Sequence, residues 1–224
     1  MIKELKKAFA IARYGLRFKT QIVFGLIFLA IGLLVDIFSR GSTYLGGFYI
    51  VLSGMFIYQL VISMDGSTLI QSSSYKRKIQ TKYPFLAVIP VTAVFFTIIV
   101  VIHSLMAFKT YPNISAVDNY NRQGLYILTM GAMMMLTMIY FGICYKYFMV
   151  GMILLFIMVI PLSSASTMLG NLAMEQGREI FKLSYCIPAA YLLFAIGAVL
   201  MYVLSIALYK KPLSKLAVRV KDSV

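Results

Sequence analysis

Few residues in this 224-residue chain could do chemistry. It holds a single histidine, His103, and two cysteines, Cys144 and Cys186. A histidine zinc site, an HExxH protease helix or a histidine-rich redox centre needs more than one imidazole, so all three are excluded. A Ser–His nucleophile would have to use His103, and no GxSxG turn is present to offer the serine. The cysteines belong to no paired metal motif. Asp36 is a carboxylate within an apolar run, a functional candidate by default. It stands four residues before Arg40, which predicts solvation near the interface or pairing with that guanidinium. His103 reads as a packed or interfacial histidine. No GxxxxGK[ST] loop exists to cradle nucleotide phosphates, so no cofactor is expected on this chain and it is not read as an enzyme.

The elements that would position such residues are apolar. The chain is 61% hydrophobic and only 12% charged, whereas a soluble domain carries about 25% charged residues. Spanning a bilayer core takes about 20 mostly apolar residues. Six such runs fit, over Gln21–Phe38, Tyr44–Met64, Phe85–Phe108, Gln123–Ile143, Tyr147–Ser166 and Ile187–Tyr209. Lipid forces each run to satisfy its backbone internally, and the runs lack the alternation of barrel strands. The expected fold is therefore an all-α membrane protein of six transmembrane helices, a single polytopic domain over residues 1–224. The first run is not expected to be a cleavable signal, because it lacks a small-x-small cleavage site.

Charge sets the orientation. With both termini on one side, sixteen of the 21 Lys and Arg residues fall on that side. They lie in the N-terminal segment, in the connector after span two, at Lys146 and in the basic tail over 210–224. Arg40, Lys109, Arg122, Arg178 and Lys182 fall on the other. The positive-inside rule makes the first side cytoplasmic, with both termini expected there. The net charge of +14 then reads as topology and attraction to anionic lipid, not as a nucleic-acid footprint.

Three segments outside the spans, and one methionine-rich stretch within them, stand out. Over 1–19, Ile2, Leu5, Phe9, Ala12 and Leu16 form one stripe of an amphipathic helix expected to lie in the inner interface. Over 65–84 a polar, basic stretch holds Lys76, Arg77 and Lys78 and closes at Pro84. Methionines concentrate in spans four and five, and Met130, Met134 and Met138 are candidate pathway-lining residues or ordinary apolar packing. Residues 167–185 are too polar to span and too apolar for a free loop. They predict a re-entrant or interfacial outer helix with Glu175, Arg178, Glu179 and Lys182 at pairing distances.

This order of features resembles the permease subunits of type-2 ABC exporters, in their small half-transporter form. The layout similarity covers the whole chain. At the residue level it rests on the connector, where a basic cluster is followed by Thr81 and Pro84, with Lys82-Tyr83 in place of the family's leucine before proline. The resemblance implies that Tyr75, Lys76, Arg77, Lys78, Thr81 and Pro84 form a coupling helix seated in a separate ATPase subunit. That subunit would hold ATP and Mg. It also implies a second permease copy, identical or related, and an amphipathic or hydrophobic cargo such as a peptide. The competing expectation is a polytopic membrane protein without transport activity, an assembly factor or a sensor-associated subunit.

Overall fold

The structure is a computed structural model. It describes residues 2–15, 17–63, 72, 74–112, 114–176 and 178–214. Seven helices are described: α1 (Ile2–Arg13), α2 (Phe18–Ser39), α3 (Leu45–Ser63), α4 (Lys76–Ala107), α5 (Ala116–Cys144), α6 (Phe148–Gln176) and α7 (Leu183–Ala207). No strand occurs among the described residues; Tyr111 and Ile114 form one isolated bridge. The helices α2 to α7 are long and apolar enough to cross a membrane. The six-span helical architecture expected from composition is the one observed.

The core gathers around α5, whose buried Tyr126, Met130, Met133, Met134, Met138 and Phe141 meet α3, α4 and α7. By contrast α2 and α6 keep most of their apolar surface outside, only 11% of each span window being buried. Ser115 caps the N-terminus of α5 by accepting from Asp118 N–H at 3.1 Å, satisfying one of the first-turn donors.

Three expectations need correction. The connector is not a separate helix closed by Pro84. From Lys76 onward it is the first part of α4, which runs 32 residues with Pro84 and Pro90 inside it. Thr81 Oγ1 donates to Arg77 O at 2.7 Å and Thr92 Oγ1 to Val88 O at 2.9 Å, and the helix continues past both prolines. Residues 64–71 and 73 lie outside the described residues.

Nor do residues 167–185 form a helix of their own among the described residues. Residues 167–176 are the last turns of α6, which passes through Pro161 unbroken. Ser163 and Ser164 both donate back to Ile160 O, and Thr167 to Ser163 O. The link to α7 is short and stitched to α5: Asn121 accepts from Ile180 N–H and Phe181 N–H and donates to Arg178 O. The helix is described to Gln176; Arg178, Glu179 and Lys182 lie beyond it, and no ion pair joins them to Glu175 among the described residues.

The third correction concerns α1. Its buried face is Ala8 and Ala12, packed on Leu60, Val61, Ile79, Tyr83 and Ala87, whereas Phe9 stays 40% exposed. Leu5 is half-buried. Leu16 and the side chain of Ile2 lie outside the described residues. Small residues allow close helix approach in an apolar setting. A Cβ at Gly15, just past the helix, would sit 2.4 Å from Leu60 O. The bundle therefore takes the alanine row and leaves the phenylalanine at the surface.

Candidate functional site

Four side chains from three spans meet at the end of the bundle away from the basic connector. Asp36 of α2, His103 of α4, and Gln123 and Tyr126 of α5 are each 0% exposed. Glycine lets them converge, because α3 crosses α2 so closely that a Cβ on Gly46 would lie 2.4 Å from Asp36 N. His103 Nε2 lies 2.9 Å from Asp36 Oδ2. Tyr126 O–H donates to Asp36 Oδ1 and accepts from Gly47 N–H. The His103 and Tyr126 rings stack with centroids 3.8 Å apart.

The hydrogen-bond directions follow from the backbone outward. The Asn119 amide nitrogen faces three carbonyl oxygens at the end of α4, Met106 O, Ala107 O and Lys109 O. Those acceptors fix the amide so that Asn119 Oδ1 faces Gln123. Gln123 Nε2 then donates to both Asn119 Oδ1 and Arg40 O, at 3.2 and 3.0 Å. This leaves Gln123 Oε1 against His103 Nδ1, an oxygen that can only accept, so Nδ1 carries a proton. One further proton lies between His103 Nε2 and Asp36 Oδ2. Imidazolium with carboxylate, and neutral imidazole with carboxylic acid, are the two forms of this unit, and both are neutral overall. Neutrality is what permits its burial, since a lone charge at this depth is expensive.

Asp36 thus pairs with His103, not with Arg40. The Arg40 guanidinium sits over the Tyr111 ring at 4.8 Å. Asp36, His103, Gln123 and Tyr126 are polar residues at one depth of three different spans. That shared depth is the signal in the sequence that would have grouped them.

The opposite end of the bundle is basic. Among the residues expected to couple to a partner, Tyr75 is 51% exposed, Arg77 and Lys78 are exposed and Lys76 is partly so. Thr81 and Pro84 turn inward and are buried. Lys82 Nζ lies 3.3 Å from Glu4 Oε2, and Lys7 Nζ lies 3.7 Å from Glu4 Oε1. The bond to Lys82 holds the Glu4 carboxyl below its usual range. Buried Lys146 donates to Gln80 Oε1, Tyr209 O and Lys211 O, at 3.1, 3.3 and 2.6 Å. Helix α4, the α5–α6 turn and the start of the tail are thereby joined. Residues 215–224 of the tail lie outside the described residues.

Met130, Met134 and Met138 are each 0% exposed within the apolar core. They pack within the cluster around α5. Cys144 and Cys186 are both free and buried, and no His, Cys, Asp and Glu group that could hold a metal ion occurs among the described residues.

Fold and site together define a polytopic, multi-pass helical membrane protein with a buried polar clamp at one end and a basic helix tip at the other. Compared with known proteins, the chain matches no family model, no curated protein and no solved structure.

Proposed function

We propose that this protein is the membrane-spanning subunit of an ATP-driven exporter of the type-2 ABC kind, energised by a separate ATPase in the cytoplasm. The observation that carries this reading is the continuity of α4. One helix of 32 residues, about 48 Å long at 1.5 Å per residue, bears the basic tip at its start and His103 near its end. A push on Tyr75, Arg77 and Lys78 would therefore reach the clamp at Asp36 along a single continuous rod of helix. Glu4 with Lys82, and Lys146 with Gln80, brace the base of that rod. The ATPase supplies ATP, Mg and the hydrolysis step; this chain supplies the contact and the moving helix.

The closed methionine core argues that a path for amphipathic or hydrophobic cargo, peptides included, lies between two copies of the protein. The largely unburied α2 and α6 offer faces for a second copy, identical or related. The basic tip suits a polar or acidic rim on the ATPase, where such charges mainly govern association rate and salt dependence.

Reversing Lys76, Arg77 and Lys78 to glutamate tests the docking. The triple variant is expected to insert in the membrane as the wild type does and to lose co-purification with its ATPase. Wild-type recovery of the ATPase by the triple variant would end the docking assignment. Absence of any ATPase from complexes of the wild-type protein would favour a polytopic membrane protein without transport activity.

A further inference from the structure

We propose that a cleft between the α2–α3 turn and α6, at the clamp end of the bundle, binds a phosphate-bearing amphiphile through Arg122. The proposal does not depend on the exporter reading. Gly41, Ser42 and Tyr44 form one wall, Arg122 lies on α5 at the back, and Thr167 and Asn171 of α6 form the other wall. The cavity measures about 130 Å³, room for several water-sized groups and so for a phosphate.

Three observations select that chemistry. First, Arg122 is a part-buried cation inside a span helix, and no carboxylate lies within ion-pair distance of it among the described residues. Asp118, one turn earlier, does not pair with it, and no acidic residue lines the cleft. A guanidinium presents a fork that matches phosphate oxygens. Second, the other polar groups of the cleft are neutral, and the exposed Asn171 amide can donate to an anion. Third, Arg122 falls in the second turn of α5 and Asn171 in the last two turns of α6. Both therefore sit where a span of this length meets the headgroup layer. Beside Thr167 and Asn171, α6 carries exposed Met168, Leu169 and Leu172, a surface for acyl chains.

The cleft is also joined to the clamp. Tyr44 O–H and Ser166 Oγ bond across its two walls, and Tyr44 stacks on Tyr126 with ring centroids 5.0 Å apart. A Cβ on Gly41, whose φ is +76°, would touch the Gln123 amide at 3.1 Å. Occupancy of the cleft is therefore felt one side chain away from Asp36 and His103.

The test is native mass spectrometry of the full chain in detergent, with phosphatidylglycerol and with diacylglycerol as the probe lacking phosphate. The wild type is expected to retain phosphatidylglycerol and not diacylglycerol. Arg122→Ala should weaken retention about tenfold, the effect of losing one charge-assisted contact, and Arg122→Lys should restore part of it. Asn171→Asp, at an exposed position that disturbs no packing, should also lower retention, which keeps the test open if Arg122→Ala fails to fold. Inorganic phosphate, tested separately by its shift of the thermal midpoint, identifies the source. A shift that needs Arg122 marks a site for soluble phosphate as well, and no shift marks a lipid headgroup alone; both bear out the phosphate site. Equal phosphatidylglycerol retention by wild type, Arg122→Ala and Asn171→Asp overturns it, as does equal retention of diacylglycerol.

Discussion

His103 Nε2 meets Asp36 Oδ2 at 2.9 Å in a place that neither residue shares with solvent. The two residues stand 67 positions apart on the first and third spans, so this bond fixes how those spans sit at one end of the bundle. Removing one partner leaves a buried ionisable group alone, an effect worth about 3–5 kcal/mol in the interior of a protein. Asp36→Leu and His103→Leu should each destabilise by that amount, and the double variant by clearly less than the sum of the two. Unfolding in mixed micelles measures this directly. Additive losses would mean that the pair does not act as a unit.

The chain has one histidine, so labelling that residue with 15N gives one imidazole to read. The Asn119–Gln123 relay fixes the acceptor at Nδ1, and the expected spectrum has a protonated Nδ1. Gln123→Leu removes the acceptor and should release that preference. A bare Nδ1 in the wild-type protein would contradict the order of donors and acceptors derived above.

Composition alone made the six-span fold legible, because the need to satisfy backbone amides in lipid leaves little choice for such apolar runs. The basic stretch at Lys76–Lys78 was legible too, since charge stands out against an apolar background. What composition does not encode is where a helix stops. Pro84 reads as the close of the basic stretch, yet α4 runs through it, as α6 runs through Pro161. The partner of Asp36 was hidden for a different reason. Arg40 is close in sequence, but His103 faces Asp36 across the bundle, and that contact depends on α3 lying tight against α2 at Gly46. On α1 size decides which residues meet the bundle: Ala8 and Ala12 permit an approach that Phe9 would block.

The Glu4–Lys82 contact gives α1 a pH dependence. The bond to Lys82 depresses the carboxyl below its ordinary value of 4.5. A depressed folded value means the contribution is fully present above 4.5 and is lost as pH falls through the lower, folded value. Protection of the α1 amides against hydrogen exchange should therefore fall on acidification below that point. Glu4→Gln should remove this step, and Lys82→Gln should weaken it. The effect is expected to be small, because the pair is solvent-accessible and screened by salt. An unchanged acid step in Glu4→Gln would assign it to another group.

Orientation can be read with two introduced cysteines. Ser74 precedes α4 and Gln176 ends α6, and both positions are exposed. Three spans, α4, α5 and α6, separate them, so in a bilayer they must face opposite sides. The native thiols interfere little, since Cys144 is 4% and Cys186 5% exposed. Basic residues favour the cytoplasmic side, which places Ser74, next to Lys76, Arg77 and Lys78, inside. A reagent that cannot cross the membrane should then label Gln176→Cys in intact cells, and Ser74→Cys only after permeabilisation. The reverse pattern would turn the protein over and put the basic tip out of reach of any cytoplasmic ATPase. Labelling of both from one side would mean that one of the three helices between them does not cross. Either result would remove the basis for treating α4 as a rod that carries force from the cytoplasm to His103.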